Sequence, residues 1–217
     1  MSDMTISVFL ADDHRVLRDG LRVLLESQKD ILVVGEAENG KKAIQGILDA
    51  KPNVVVMDIT MPELNGIEAA QIIHKNLPET EIVILSIHSD LEHIFRAFQA
   101  GAQGYILKES AGAEVISAVR AVNMGRRYMS PSIRDLVMEA YMHNRQVQSP
   151  LEQLSFRERE VLQLTVEGFS SAAIAEKLSL SPKTIETYRS RLMGKIGVRD
   201  LTELVRFAIK HGITPLD

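Results

Sequence analysis

Val54-Val55-Val56-Met57-Asp58-Ile59-Thr60-Met61-Pro62-Glu63-Leu64-Asn65-Gly66 sets the architecture of the chain. Four apolar residues, three of them β-branched, run without alternation and then stop on a carboxylate. Such a run reads as a short strand buried on both faces. Met61-Pro62 and Asn65-Gly66 follow as two turn signals. Beyond them Ile67, Ala70 and Ile73 recur at helical spacing. The same unit repeats on either side. Apolar runs lie at 6–10, 31–34, 82–85 and 105–107, and the segments between and after them carry helical faces such as Leu17, Leu21, Leu24 and Leu25, or Val115, Val119 and Val122. Five strands alternating with helices predict an α/β doubly wound, five-stranded parallel sheet, because each parallel crossover needs a connecting element.

The rest of the chain has a different pattern. Residues 127–150 hold two prolines, a short amphipathic piece (Ile133, Leu136, Val137, Tyr141) and a polar run at 143–149, which predicts a linker with one helix. Residues 151–217 contain no strand-like run. Their periodicity predicts a small all-α domain of four helices, at 156–167, 171–178, 182–196 and 201–211. The 217 residues therefore divide into units at 1–126, 127–150 and 151–217. With 45% apolar and 25% charged residues the composition is that of a globular protein. The absence of cysteine excludes disulfides, zinc knuckles, iron–sulfur clusters and thiol catalysis. The opening stretch reads neither as a signal peptide nor as a membrane span, and a cytoplasmic location without membrane association is expected. The net charge of −4 conceals a division: residues 1–130 carry 13 Lys and Arg against 18 Asp and Glu, whereas 181–199 carry five cations against Glu186 alone.

Polar residues fall where the strands end. Asp12 and Asp13 follow the first run, Asp58 the third, Ser86 the fourth and Lys108 the fifth. All strands of a parallel sheet point one way, so these side chains share the edge at which open α/β sheets bind ligands. An Asp-Asp pair alone reads as a turn and helix cap, and a lone lysine or serine as a surface residue; the joint placement selects a site. Three carboxylates repel one another unless a cation or proton offsets them. Mg²⁺ suits carboxylate, carbonyl and water oxygens. With that charge offset, Asp58 is the candidate nucleophile toward a phosphoryl group, Lys108 pairs with the phosphate and Ser86 donates to it. His14, with no second histidine nearby, reads as a surface residue.

Asp12-Asp13, the motif from Asp58 to Gly66, Ser86 and Leu107-Lys108 together resemble the flavodoxin-like receiver domain of bacterial two-component response regulators over residues 4–125. The resemblance implies that Asp58 accepts a phosphoryl group from a sensor histidine kinase in a phosphorelay. It implies Mg²⁺ held by Asp13, Asp58 and the Thr60 backbone carbonyl, with Asp12 acting through water. Ser86 and Tyr105 match a coupled switch in which the hydroxyl turns toward the phosphate and the ring moves inward. Serine replaces the commoner threonine there and leaves the hydroxyl intact.

In the last third, Ser181 and Pro182 read as a cap and first helical residue. At 3.6 residues per turn Ile185, Tyr188, Leu192 and Ile196 face inward. Lys183, Glu186, Thr187 and Ser190 then face outward, flanked by Arg189, Arg191 and Lys195. A short turn joins this helix to the one at 171–178, which describes a helix-turn-helix with a recognition helix for the major groove. Geometry assigns base reading to Glu186, Thr187, Ser190 and Lys183, and phosphate contacts to Thr184, Arg189, Arg191 and Lys195. Residues 154–162, 167–170, 174–175 and 181–198 resemble the LuxR-type four-helix DNA-binding domain. The chain as a whole resembles a NarL/FixJ-type response regulator. Ser171-Ala172-Ala173 depart from the polar residues that many members have there, which predicts fewer phosphate contacts from that segment.

The resemblance implies a transcription regulator controlled by phosphorylation, active as a homodimer on double-stranded promoter half-sites, with the sensor kinase and RNA polymerase as protein partners. It implies no enzymatic turnover beyond Asp58 self-phosphorylation from a phosphodonor and slow autodephosphorylation. Two other classes of protein share part of this pattern. A phosphohydrolase would show Asp-x-Asp after the first strand, whereas here the aspartates are adjacent. A constitutive DNA binder would tolerate loss of Asp58, Asp13 or Lys108, and all three are present.

Overall fold

The computed structural model describes residues 5–143 and 149–214. The polar run read as a domain boundary lies mostly at 144–148, outside the described residues. The N-terminal part alternates β1 (Ile6–Ala11), α1 (Arg15–Glu26), β2 (Ile31–Ala37), α2 (Gly40–Ala50), β3 (Val54–Asp58), α3 (Gly66–Asn76), β4 (Glu81–Ser86), α4 (Leu91–Gln99), β5 (Gly104–Leu107) and α5 (Ala111–Asn123). Every pairing is parallel, in the order β2-β1-β3-β4-β5-β6, where β6 is Tyr128–Met129.

The sheet thus has six strands and not the five expected from sequence. The sixth is two residues long, too short to leave an apolar run. It forms because the outer edge of β5 needs partners for its backbone groups. Tyr128 N–H donates to Gln103 O (3.0 Å) and Ser130 N–H to Tyr105 O (3.0 Å). Glu114 then accepts from the Tyr128 and Ser130 hydroxyls. Edge position also explains β2, whose alternate residues Leu32 and Val34 are exposed and not buried on both faces.

Alternate residues of the central strands feed two cores. Val54, Val56, Val83, Leu85 and Ile106 pack under α1 and α5, against Leu21, Leu25, Val115, Val119 and Val122. Val55, Met57, Ile82, Ile84 and Tyr105 face the opposite layer of α2, α3 and α4. Ile133 of α6 (Pro131–Met142) joins that second core, while Tyr141, expected on the same face, is 81% exposed. Ala140 is buried instead, one residue away around the helix.

Four helices form the C-terminal unit: α7 (Phe156–Val166), α8 (Ser171–Leu178), α9 (Pro182–Ile196) and α10 (Leu201–Lys210). Local chemistry sets their ends. Ser155 and Glu158 make a capping box on α7. Ser181 caps α9, Pro182 starts it, and Gly197 ends it at φ +73°. Ile185 and Leu192 are fully buried in the domain's core, with Tyr188 and Ile196 packed against it.

Candidate functional site

The C-terminal ends of β1, β3, β4 and β5 bring together the predicted strand-end residues. Asp12 and Asp58 are each 2% exposed. Lys108 Nζ lies 2.7 Å from Asp58 Oδ2, a hydrogen bond, and 2.8 Å from Asp12 Oδ2, too obliquely to be one. Burial pushes the Asp58 carboxyl up to about 7, against the pull of Lys108 and with repulsion from Asp12 adding to the rise. Burial alone would lower the Lys108 ammonium, but Asp58 and Asp12 overcome it and hold the group above its usual value. Gly66 is required here by space: a Cβ on it would lie 1.9 Å from the Asp58 carbonyl oxygen.

Asp12, Asp13, His14 and Asp58 offer ligand atoms all within 4.8 Å of one another. Asp12 Oδ2 and Asp13 Oδ1 are buried with no hydrogen-bond partner. Carboxylate oxygens clustered at one point, approached by Lys108 Nζ and His14 Nδ1 but without a hydrogen-bond donor, are a set that a hard dication satisfies, so these residues fit Mg²⁺. His14, read from sequence as a surface residue, is 65% exposed at its side chain and places Nδ1 2.7 Å from Asp13 Oδ1. Thr60 is buried beside the cluster.

Ser86 and Tyr105 are both fully buried and are joined through one residue. His88 N–H donates to Ser86 Oγ (3.0 Å), and the Tyr105 hydroxyl donates to His88 O (2.7 Å). The Tyr105 ring already lies inward, and burial raises its hydroxyl. His88 itself is held down to about 4 by burial and by neighbouring His93.

Above this edge lies a cavity of about 310 Å³ lined by Asp58, Thr60, Ile87, His88 and Lys108. Ile209 and Thr214 of the C-terminal domain form part of its wall. That domain docks on the loop after β3. Gln163 Nε2 donates to Met61 O (2.8 Å) while its Oε1 accepts from Asn65 N–H (2.8 Å). Glu167 Oε1 accepts from Glu63 N–H (2.9 Å). Glu68 is buried between Arg159 (2.7 Å) and Arg96 (3.6 Å), and His211 Nδ1 meets Glu92 at 2.9 Å. Glu63, Asn65, Arg159 and Glu167 lie in stretches that stand out in sequence, but nothing there marks any docking residue as one, because these roles depend on how two distant elements meet.

On α9, Lys183, Glu186, Thr187, Ser190, Arg191 and Lys195 are exposed, and Thr184 and Arg189 half-buried. Among the described residues Lys183, Glu186, Ser190 and Arg191 make no side-chain hydrogen bond or ion pair. Lys195 is paired with Glu158 at 2.6 Å, and Arg189 reaches Ser171 at 3.5 Å.

The family model for the response regulator receiver domain matches residues 8–120, and that for the bacterial regulatory proteins of the luxR family matches 152–208. The chain is 36% identical to the response regulator UvrY of Escherichia coli over 96% of its own length and 95% of that protein. It is likewise 36% identical to the oxygen regulatory protein NreC of Staphylococcus carnosus, over 94% and 97%. A solved complex of the two-component response regulator RcsB with DNA aligns at a TM-score of 0.59 and 27% identity, covering 95% of this chain and 98% of that one. The chain belongs to the NarL/FixJ family of response regulators, a receiver domain followed by a LuxR-type helix-turn-helix domain, and is a transcription regulator rather than an enzyme. Among the described residues no helix is long and apolar enough to cross a membrane.

Proposed function

We propose that Asp58 accepts a phosphoryl group from a sensor histidine kinase and that this releases residues 151–217 to dimerise on double-stranded DNA. The observation that carries the reading is the convergence of Asp58, Asp12 and Lys108 at one sheet edge, with Ser86 and Tyr105 tied to it through His88. Asp13, Asp58 and the Thr60 carbonyl would hold Mg²⁺, with Asp12 acting through water. When bound, the ion supplies the positive charge that offsets the carboxylates and the incoming phosphate.

An Asp58 oxygen forms the bond to phosphorus as the donor's phosphorus–nitrogen bond breaks. Lys108 already touches Asp58 and balances the added charge from the same position. Ser86 Oγ accepts from His88 N–H, which leaves its own O–H to donate to a phosphoryl oxygen. Turning that hydroxyl pulls on 86–88, the segment that holds Tyr105 and borders the docked domain. Phosphorylation thereby biases a docked and an undocked state differently, as coupling requires.

Of the assigned DNA contacts on α9, Lys183, Glu186, Thr187, Ser190 and Arg191 are open in the docked state, Thr184 and Arg189 are half-buried, and Lys195 must exchange Glu158 for phosphate. The RcsB–DNA complex supports DNA as a ligand for this chain too. RNA polymerase is the further partner of such a regulator.

The decisive experiment incubates the full chain with Mg²⁺ and a small phosphodonor, then measures intact mass and DNA affinity for wild type and Asp58→Asn. One stable phosphoryl addition, absent in Asp58→Asn and accompanied by tighter DNA binding, is expected. Multiple turnover of phosphomonoesters would mark a hydrolase, and DNA affinity indifferent to phosphorylation would mark a constitutive binder.

A further inference from the structure

Between the two domains lies a histidine pair whose imidazoles phosphoryl transfer does not use. His88 and His93, the latter in the first turn of α4, stack with ring centroids 4.1 Å apart and planes inclined by 5°. His93 is 1% exposed, and its Nε2 is buried with no hydrogen-bond partner. Its Nδ1 lies 2.7 Å from Asp90 Oδ2. A carboxylate accepting from Nδ1–H fixes the tautomer in which Nε2 carries a lone pair. That arrangement, carboxylate on one ring nitrogen and an unsatisfied lone pair on the other, is the oriented half of a histidine metal ligand. His88, Asp90 and His93 offer ligand atoms within 4.8 Å of one another.

Gly212, two residues past α10, closes this spot. A Cβ there would lie 2.3 Å from His93 Nε2 and 3.0 Å from His88 Nε2. Both nitrogens therefore face one point on the backbone of the docked domain, with no room for an ion in front of them. His88 Nε2 is also 3.5 Å from Thr60 Oγ1, too long for a strong bond.

We propose that His88 and His93 bind a transition-metal dication such as Zn²⁺ through their Nε2 atoms, with Asp90 orienting His93, and that the site opens only when Gly212 withdraws. Paired imidazoles select zinc, cobalt, nickel or copper over magnesium, so the site differs in chemistry from the carboxylate cluster. Parallel rings aim their lone pairs side by side, so His88, which lies outside the helices and strands, must tilt to share the ion. A ligand that binds one state only shifts the population toward it. Metal binding and docking thus exclude each other, and the ion opens the domains without a phosphoryl group.

Co²⁺ serves as an optical probe, titrated into the full chain with excess Mg²⁺ present. A single nitrogen-ligated ion is expected, with affinity at least about tenfold lower in His88→Gln and in His93→Gln. Asp90→Asn keeps a cap on α4 and is expected to weaken binding about 10- to 100-fold. Asp13→Asn leaves binding unchanged. Small-angle scattering with Zn²⁺ shows an expanded molecule in wild type and none in His88→Gln. Should His93→Gln fail to fold, His88→Gln, which lies outside the regular elements, decides. Cobalt absorption that survives in both histidine variants, that disappears in Asp13→Asn, or that comes without expansion overturns the proposal.

Discussion

Asp58 concentrates the electrostatic tension of the sheet edge. Its folded carboxyl sits near 7, raised by burial against Lys108 and with help from Asp12, while the unfolded chain releases that proton near 3.8. The stability tied to the neutral form is whole below pH 3.8 and is lost as pH rises through about 7. The amide introduced by Asp58→Asn cannot ionise, and Lys108 retains Asp12. The advantage of Asp58→Asn over wild type in metal-free urea unfolding therefore grows from pH 4 to pH 8, reaching about 2–4 kcal/mol. A gap that stays constant across that range would refute the assignment. On the proposed Mg²⁺ site, the ion at about 100 times its dissociation constant is expected to add about 2.7 kcal/mol to wild type in the same urea unfolding and much less to Asp13→Asn. On α9, Arg191 is exposed and unpaired among the described residues, as a phosphate contact should be. Arg191→Ala is expected to weaken binding to all DNA sequences alike and to flatten the salt dependence by about one unit of slope. A changed sequence preference at an unchanged slope would move Arg191 to the base-reading set.

Among the elements, two glycines show how backbone placement decides the sign of one substitution. Gly20 lies exposed within α1, and a Cβ there would meet nothing within 4 Å. Gly20→Ala should stabilise by about 0.5–1 kcal/mol through helix propensity. Gly66 opens α3 directly under the end of β3, where a Cβ would strike the Asp58 carbonyl. Gly66→Ala should destabilise by about 1–3 kcal/mol or more and slow phosphoryl uptake, because the backbone of the proposed phosphoacceptor has to shift. Thermal unfolding of both variants beside wild type checks the opposite signs. These placements also explain what is readable beforehand. Asp12, Asp58, Ser86 and Lys108 each interrupt an apolar run, so strand and site announce one another in the sequence. Tyr128–Met129 has no run to interrupt, and its pairing arises from the open edge of β5. Leu32 and Val34 read as buried because an apolar run does not reveal whether its strand is central or at the edge. Gln163 and His93 sit within ordinary helical patterns and gain their roles only from the surface docked against them.

Docking of the two domains hides one site and leaves the other open. Gln163 places an amide donor and acceptor on Met61 O and Asn65 N–H, two backbone groups of the loop that follows Asp58. Glu167 holds Glu63 N–H beside them. Ile209 and Thr214 consequently wall the cavity over Asp58, while Lys183, Glu186, Thr187, Ser190 and Arg191 stay exposed. The partly open cavity of about 310 Å³ takes a small phosphodonor more readily than the surface of a donor protein, which the wall from Ile209 and Thr214 narrows. On the proposed function, docking is expected to restrain phosphoryl transfer between proteins, without covering the face assigned to DNA. Gln163→Ala combined with Glu167→Ala removes side-chain partners from three backbone groups of the loop, each of which water can replace once the domains part. The radius of gyration should rise. Transfer from a phosphorylated histidine protein should speed up severalfold, and transfer from a small phosphodonor should change little. Affinity of the unphosphorylated monomer for a single DNA half-site should stay within about twofold of wild type, because α9 is already exposed. Equal acceleration with both donors would remove the cavity wall from the account, and a large gain in half-site affinity would show that docking does occlude α9.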